Sequence, residues 1–244
     1  MTGERFVLLS GDVDLWTVSL SGGSDGAVSV QGTLSDEEQQ QAGRFRRQID
    51  RRRYVISHGA LRDVLARYTG TSPSELRIDR SDAGKPFLAG DMGLRFSLSH
   101  SNDRALIAVA RGQAVGVDIE RIDSETDVLA VAERFFSQQE HQALANTAAP
   151  LRLNVFFRLW VCKEAYIKAR GESIANRLSE FSVLVADGAG ARVLEDRADP
   201  EAPEAWTLHL FEVEDASYLA AVALEGPVVH PRVRQWTIDR ADRP

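Results

Sequence analysis

Apolar and polar residues alternate through Val13-Asp14-Leu15-Trp16-Thr17-Val18-Ser19-Leu20, the period of two that marks a strand, and Phe6-Val7-Leu8-Leu9 ahead of it also reads as strand. The Ser-Gly-Gly-Ser-Asp-Gly stretch at 21–26 reads as a loop. Ser35 followed by Asp36-Glu37-Glu38 supplies an N-cap and an acidic first turn, so a helix starts there. Beyond Asp50 the spacing becomes helical, with Val55, Leu61, Val64, Leu65 and Tyr68 on one face as far as Tyr68, and Gly70 as the stop. A strand near 76–78, a turn through Asp82-Ala83-Gly84-Lys85-Pro86 and a hairpin pairing 94–98 with 105–110 complete this part.

Val115-Gly116-Val117-Asp118-Ile119-Glu120 then opens a second series as a strand. Helices are predicted over 128–134 and 151–170, the latter ended by Gly171. Between them lies a shorter helix behind Ser137-Gln138-Gln139-Glu140, a capping box. Strands recur at 181–185, 206–211 and 218–224. The tail after Pro227 offers only the strand-like run 233–238, to which the sequence assigns no role. The hexapeptides Ala105-Leu106-Ile107-Ala108-Val109-Ala110 and Tyr218-Leu219-Ala220-Ala221-Val222-Ala223 each close a strand-turn-strand unit behind helices. That echo suggests an α+β protein made by duplication, with a site at the seam between similar halves; two unrelated buried strands would show the same likeness.

With 244 residues, 43% of them hydrophobic, the chain can build a proper core. No run nears the roughly 18–20 apolar residues of a membrane span, and Met1-Thr2-Gly3-Glu4-Arg5 lacks an export pattern, so the cytoplasm is the expected location. The single cysteine, Cys162, excludes an intrachain disulfide and reads as a small helix residue rather than a nucleophile. A net charge of −7 argues against nucleic acid as partner. Arginines 44, 46, 47, 51, 52 and 53 still make a local anion site conceivable. Lysine occurs only at 85, 163 and 168, and a compact mobile ammonium suits a phosphoryl group.

Asp118 and Glu120 stand two apart on a strand, so both side chains point to one face about 6 to 7 Å apart along the chain, where they can share a hard cation. Val115, Val117 and Ile119 alternate into the core, which places the acids on the outward face. The plain alternative is a solvated strand edge. Trp160, Glu164 and Lys168 recur every fourth residue on one helical stripe with Lys163 beside it; an ordinary Glu164–Lys168 pair next to a core tryptophan is again the plain alternative. In Phe96-Ser97-Leu98-Ser99-His100-Ser101, three hydroxyls surround an imidazole that can donate to a phosphate oxygen or serve structure alone. Gly84-Lys85-Pro86 is a stiff turn that holds Lys85 outward. No single plain explanation covers the whole combination.

Taken in order, Gly84-Lys85-Pro86, the Phe96–Ser101 run, Val115-Gly116-Val117-Asp118-Ile119-Glu120-Arg121, Arg134-Phe135-Phe136-Ser137 and Trp160-Val161-Cys162-Lys163-Glu164-Ala165-Tyr166-Ile167-Lys168 resemble the 4′-phosphopantetheinyl transferases of the surfactin-synthetase-activating type. The resemblance spans about residues 6–225. It implies two similar α/β halves related by pseudo-twofold symmetry, 1–112 on the side of the coenzyme A 3′-phosphate and 113–226 on the side of magnesium and pyrophosphate, with 227–244 as a tail. It further implies a monomeric enzyme that transfers the 4′-phosphopantetheine arm of coenzyme A to a serine of an apo acyl or peptidyl carrier protein and releases adenosine 3′,5′-bisphosphate.

The site residues implied are Asp118, Glu120 and Glu164 for Mg²⁺, Glu164 and Lys168 for catalysis, and Arg53, Lys85, Ser99, His100, Lys163 and Lys168 for coenzyme A. Some members carry lysines one or two turns before the counterpart of Arg53. This chain has Glu38 and Gln41 there, which leaves the task to Arg44, Arg46 or Arg47. Two other readings stand: a magnesium-dependent phosphohydrolase acting on coenzyme A or nucleotides, and a catalytically inactive module that binds carrier protein. Three acids speak against the module, because binding alone has no use for the metal.

Overall fold

One order of elements occurs twice in the computed structural model, which describes residues 6–21, 24–90, 92–172, 177–186, 190–213, 215–227 and 231–237. The first pass runs β1 (Val13–Ser19), α1 (Ser24–Gln31), α2 (Asp36–Gly43), α3 (Gln48–Thr69), β2 (Ile78–Arg80), β3 (Pro86–Leu88), β4 (Leu94–Ser101) and β5 (Arg104–Arg111). The second runs β6 (Val115–Arg121), α4 (Val128–Phe135), α5 (Gln138–Asn146), α6 (Ala149–Arg170), β7 (Phe181–Val185), β8 (Gly190–Asp196), the short α7 (Ala202–Ala205), β9 (Trp206–Val213) and β10 (Asp215–Glu225). A last strand, β11 (Arg232–Trp236), follows. The fold is α+β, with sheets ordered β11-β1-β5-β4 and β6-β10-β9-β8-β7 and a separate β2-β3 pair.

Three apolar clusters hold these layers together. Trp16, Ile56, Val64, Leu65, Phe96 and Ile107 join α3 to the first sheet, and Phe156, Tyr166, Ile167, Phe181 and Leu210 join α6 to the second. The strand residues of opposite phase, among them Leu15, Leu106, Val117, Ile119 and Val222, pack together between the two sheets. Strand alternation therefore gives β6 two buried faces, one against the other sheet and one against α6.

The long helices are built alike. Each has 22 residues and ends on a glycine in the left-handed region, Gly70 at φ 74° and Gly171 at φ 68°. In front of each stands a helix with a capping box, Ser35 with Glu38 on α2 and Ser137 with Glu140 on α5. Both glutamates then take a buried cation from the long helix: Arg62 Nε lies 2.5 Å from Glu38, and Lys163 Nζ lies 2.8 and 2.6 Å from the two Glu140 oxygens. Arg62 and Lys163 occupy the same position in their helices, counted from Gln48 and Ala149.

The structure departs from the sequence reading in several places. Phe6 does not enter a strand; its N–H donates to Arg67 O and its ring sits edge-on to Trp16. Part of the expected loop at 21–26 is helix, because α1 packs Val30 so tightly on Gly59 that a Cβ there would lie 2.6 Å from the Val30 Cβ. Strand β8 had no clear alternating signal and was not expected. The tail run acquires a role as β11, parallel to β1 and within the first sheet. Arg232 and Arg234 reach the two oxygens of fully buried Asp14 at 2.7 and 3.1 Å, and Trp236 Nε1 donates to Asp63 at 2.7 Å. The expectations placed on Met1–Arg5 and on Ile238 lie outside the described residues.

Ending the chain at Pro227 removes both arginines from Asp14, so the truncated protein should lose about 3–5 kcal/mol of stability in urea titration. Lys163→Met should cost a similar amount, about 3–5 kcal/mol, because it strands Glu140 in the core. Unchanged denaturation midpoints would show that these ion pairs do not secure the halves.

Candidate active site

Everything at the seam follows from how closely α6 lies on β6. A Cβ at Gly116 would come 2.1 Å from Ala165 O and 2.3 Å from Ala169 N, so only a glycine permits this backbone approach. It lowers Glu164 and Lys168 onto the β6 face that carries Asp118 and Glu120. The expectation that these acids face outward is corrected for Asp118, which is 2% exposed and enclosed between strand and helix, while Glu120 is half-buried; Glu164 on the helix is 7% exposed.

Lys168 Nζ lies 2.6 Å from Asp118 Oδ1 and 3.0 Å from Ser99 Oγ, while Ser99 Oγ donates to the same Asp118 oxygen at 2.8 Å. Asp118 Oδ2 is buried without a hydrogen-bond partner. Glu120 accepts from Ser101 Oγ at 2.7 Å. Glu120 and Glu164 are both pushed up to about 7, first by burial and then by the Asp118 charge, with Lys168 working against both. Burial acts to lower the Lys168 pKa, but Asp118, Glu164 and Glu120 outweigh it and hold the ammonium above its ordinary value.

Three carboxylates around one ammonium leave a deficit of positive charge, and the unpartnered Asp118 oxygen shows where it is felt. An all-oxygen donor set of this kind fits a hard divalent cation. Among the described residues, no three such side chains are yet gathered tightly enough to enclose an ion.

The other expected site residues divide. Ser99 joins the cluster. His100, next on β4 and exposed at its outer edge, has its pKa lowered first by partial burial of the ring and then by the Lys168 and Arg53 cations. Arg53 is anchored by two bonds to Asp103 Oδ1, at 3.1 and 2.9 Å. Lys85 spans the seam, donating to Val115 O at 3.2 Å and Ala169 O at 2.5 Å, and burial pushes it down to about 8. It lines a cavity of about 230 Å³ with Phe96, Leu98, Lys168 and Gly171.

Lys163 is not brought to the cluster. It is 0% exposed, and its three hydrogen bonds go to Glu140 and Phe181 O, so it belongs to the core. Arg44, Arg46 and Arg47 are exposed on the link from α2 to α3, and Glu38 is spent on the capping box and Arg62. Cys162 is fully buried with its thiol pKa pushed up, which removes it as a nucleophile.

Sequence reasoning missed two features. His58 stacks on Tyr54 at 3.8 Å and is pushed down to about 4 by burial, with His100 adding to the shift. Its place five residues beyond Arg53 in the same expected helix was the available signal. Beside Glu120, a cavity of about 430 Å³ is walled by Ile122, Val131, Phe156, Phe157 and Trp160, residues drawn from two helices and a loop.

The profile of the 4′-phosphopantetheinyl transferase superfamily matches residues 114–223, and that of the 4′-phosphopantetheinyl transferase N-terminal region matches residues 25–112. The chain is 35% identical to 4′-phosphopantetheinyl transferase HetI of Nostoc sp. over 225 residues, 91% of each chain. It is 33% identical to 4′-phosphopantetheinyl transferase psf-1 of Bacillus pumilus, covering 84% of this chain and 85% of that protein. Against 4′-phosphopantetheinyl transferase Sfp of Bacillus subtilis the identity is 30%, over 80% and 83% of the two chains.

In buffer free of divalent cations, Glu164→Gln should relieve the crowding of like charge and raise stability by about 1–3 kcal/mol, whereas Lys168→Met should lower it by a similar amount. Thermal melts at pH 8 with a chelator distinguish the two. A Lys168→Met protein as stable as wild type would mean that the pair with Asp118 contributes nothing.

Proposed function

The chain belongs to the 4′-phosphopantetheinyl transferases and transfers the phosphopantetheine group of coenzyme A to carrier proteins, and from that premise we propose that the reaction is magnesium-dependent and runs at the seam cluster. The observation that carries this reading is the buried, unpartnered Asp118 oxygen between two further carboxylates and beneath Lys168. Asp118, Glu120 and Glu164 would hold Mg²⁺. When bound, the ion would neutralise charge on the pyrophosphate and so ease attack at phosphorus.

The protein's own groups supply the rest. Glu164, or a water it orients, would take the proton from the carrier serine as its oxygen bonds to the phosphorus that bears the pantetheine arm. Lys168, its pKa held above the ordinary value, would stabilise the bridging oxygen that departs with adenosine 3′,5′-bisphosphate. His100 and Arg53, neighbours on β4 and α3, suit the 3′-phosphate. Lys85 acts through the turn that frames the smaller cavity, since its ammonium is occupied by two carbonyls. A seam built within one chain supports a monomer acting on acyl or peptidyl carriers. No helix among the described residues is long and apolar enough to cross a membrane, in keeping with a cytoplasmic reaction.

Incubation with an apo carrier protein, coenzyme A and Mg²⁺ should add the mass of the arm to one serine. Asp118→Ala and Glu164→Ala should each slow loading by at least about 100-fold while the far-ultraviolet circular dichroism is retained. Wild-type loading in either variant would remove the assignment, and breakdown of coenzyme A without a carrier adduct would favour hydrolysis instead.

A further inference from the structure

Strands β4 and β6 are edge strands of different sheets, and they lie side by side at the seam without a shared backbone ladder among the described residues. Serine side chains take the ladder's place. Every second residue of β4 from 97 to 101 is serine, and each hydroxyl reaches β6. Ser97 Oγ accepts from Val117 N at 3.1 Å, Ser99 Oγ donates to Asp118 at 2.8 Å, and Ser101 Oγ accepts from Arg121 N at 3.2 Å while donating to Glu120 Oε2 at 2.7 Å.

The three serines are not equivalent. Ser97 meets only backbone. Ser99 shares Asp118 with Lys168. Ser101 makes the one hydrogen bond that the Glu120 carboxylate receives among the described residues, and it uses one oxygen, leaving Oε1 open. A glutamate has three side-chain torsions to lose, so an unpinned carboxylate spreads over many positions. Ser101 is itself fixed by the Arg121 amide, and the two residues share the wall of the larger cavity.

We propose that Ser101 is a positioning residue for the transfer: it ties Glu120 across the seam by one oxygen and leaves the other to take a divalent cation. This rests on the magnesium reading of the cluster. Loss of one hydrogen bond to a charged acceptor corresponds to about a tenfold change in affinity.

The test is calorimetric titration of Mg²⁺ into the full-length protein saturated with coenzyme A, alongside steady-state carrier loading. Ser101→Ala should weaken Mg²⁺ binding about tenfold and raise the Mg²⁺ concentration needed for half-maximal loading, with the KM for coenzyme A nearly unchanged. Ser101→Thr should restore both, because it keeps the hydroxyl. Ser97→Ala should lower the thermal midpoint without moving Mg²⁺ affinity. Unchanged Mg²⁺ affinity in Ser101→Ala, an equal loss in Ser97→Ala, or failure of threonine to rescue would each overturn the proposal. Wild-type loading that is indifferent to Mg²⁺ would overturn the metal reading itself and this inference with it.

Discussion

At Gly116 the β6 backbone runs so close beneath α6 that a methyl group would lie 2.1 Å from the Ala165 carbonyl oxygen, and the carboxylate cluster of the seam depends on that approach. One turn of α6 then delivers Glu164 and Lys168 onto Asp118, and β4 closes the third side with its serines. The approach is held from both directions. Tyr166 and Ile167 are wholly buried in the second core, while Val117 and Ile119 are wholly buried between the sheets. Lys85 ties the end of α6 to the start of β6 by bonding a carbonyl of each. A side chain at 116 would have to push the helix away, and the carboxylates would separate with it.

The repeated architecture shows what turns a scaffold into a site. Asp63 and Arg67 occupy the positions in α3 that Glu164 and Lys168 occupy in α6, counted from the helix starts. In the first half they pair with each other at 2.8 Å, Asp63 accepts from Trp236, and Arg67 lies over the Trp16 ring at 5.4 Å. The strand beneath supplies Trp16 and Val18 to the core, and β11 closes the edge. In the second half the strand supplies Asp118 and Glu120, and the partner is a strand from the other half. An acid and a base four residues apart on a helix are thus neutral as to function; the facing strand decides.

Most elements were legible because they rest on local rules: the N-cap at Ser35, the capping box at Ser137, the glycine stops at 70 and 171, and the alternation of β1 and β6. The cluster was legible through Asp118, Glu120, Glu164 and Lys168, whose spacings place them on single faces. What escaped is tertiary. Helix α1 forms because Val30 finds Gly59 across a gap in the sequence, and β11 forms because a buried Asp14 more than 200 residues away attracts two arginines. Lys163 misled because rarity of lysine pointed to phosphate for all three. The correcting signal was present in the repeat, where Lys163 aligns with Arg62 and Glu140 with Glu38.

Why the core position takes lysine in one half and arginine in the other follows from geometry. Arg62 spreads its fork over Glu38 and the carbonyls of Pro73 and Leu76, whereas Lys163 places three donors on two Glu140 oxygens and Phe181 O within a space closed to water. There charge is balanced and the pair is structural. At the seam it is not: Lys168 answers Asp118, while Glu120 and Glu164 are left pushed up to about 7. The fold therefore holds unrelieved like charge where a cation would relieve it, and neutral charge where only packing is needed. That contrast separates the two lysines of α6, five residues apart, into one that stabilises the core and one that faces the carboxylates of the seam.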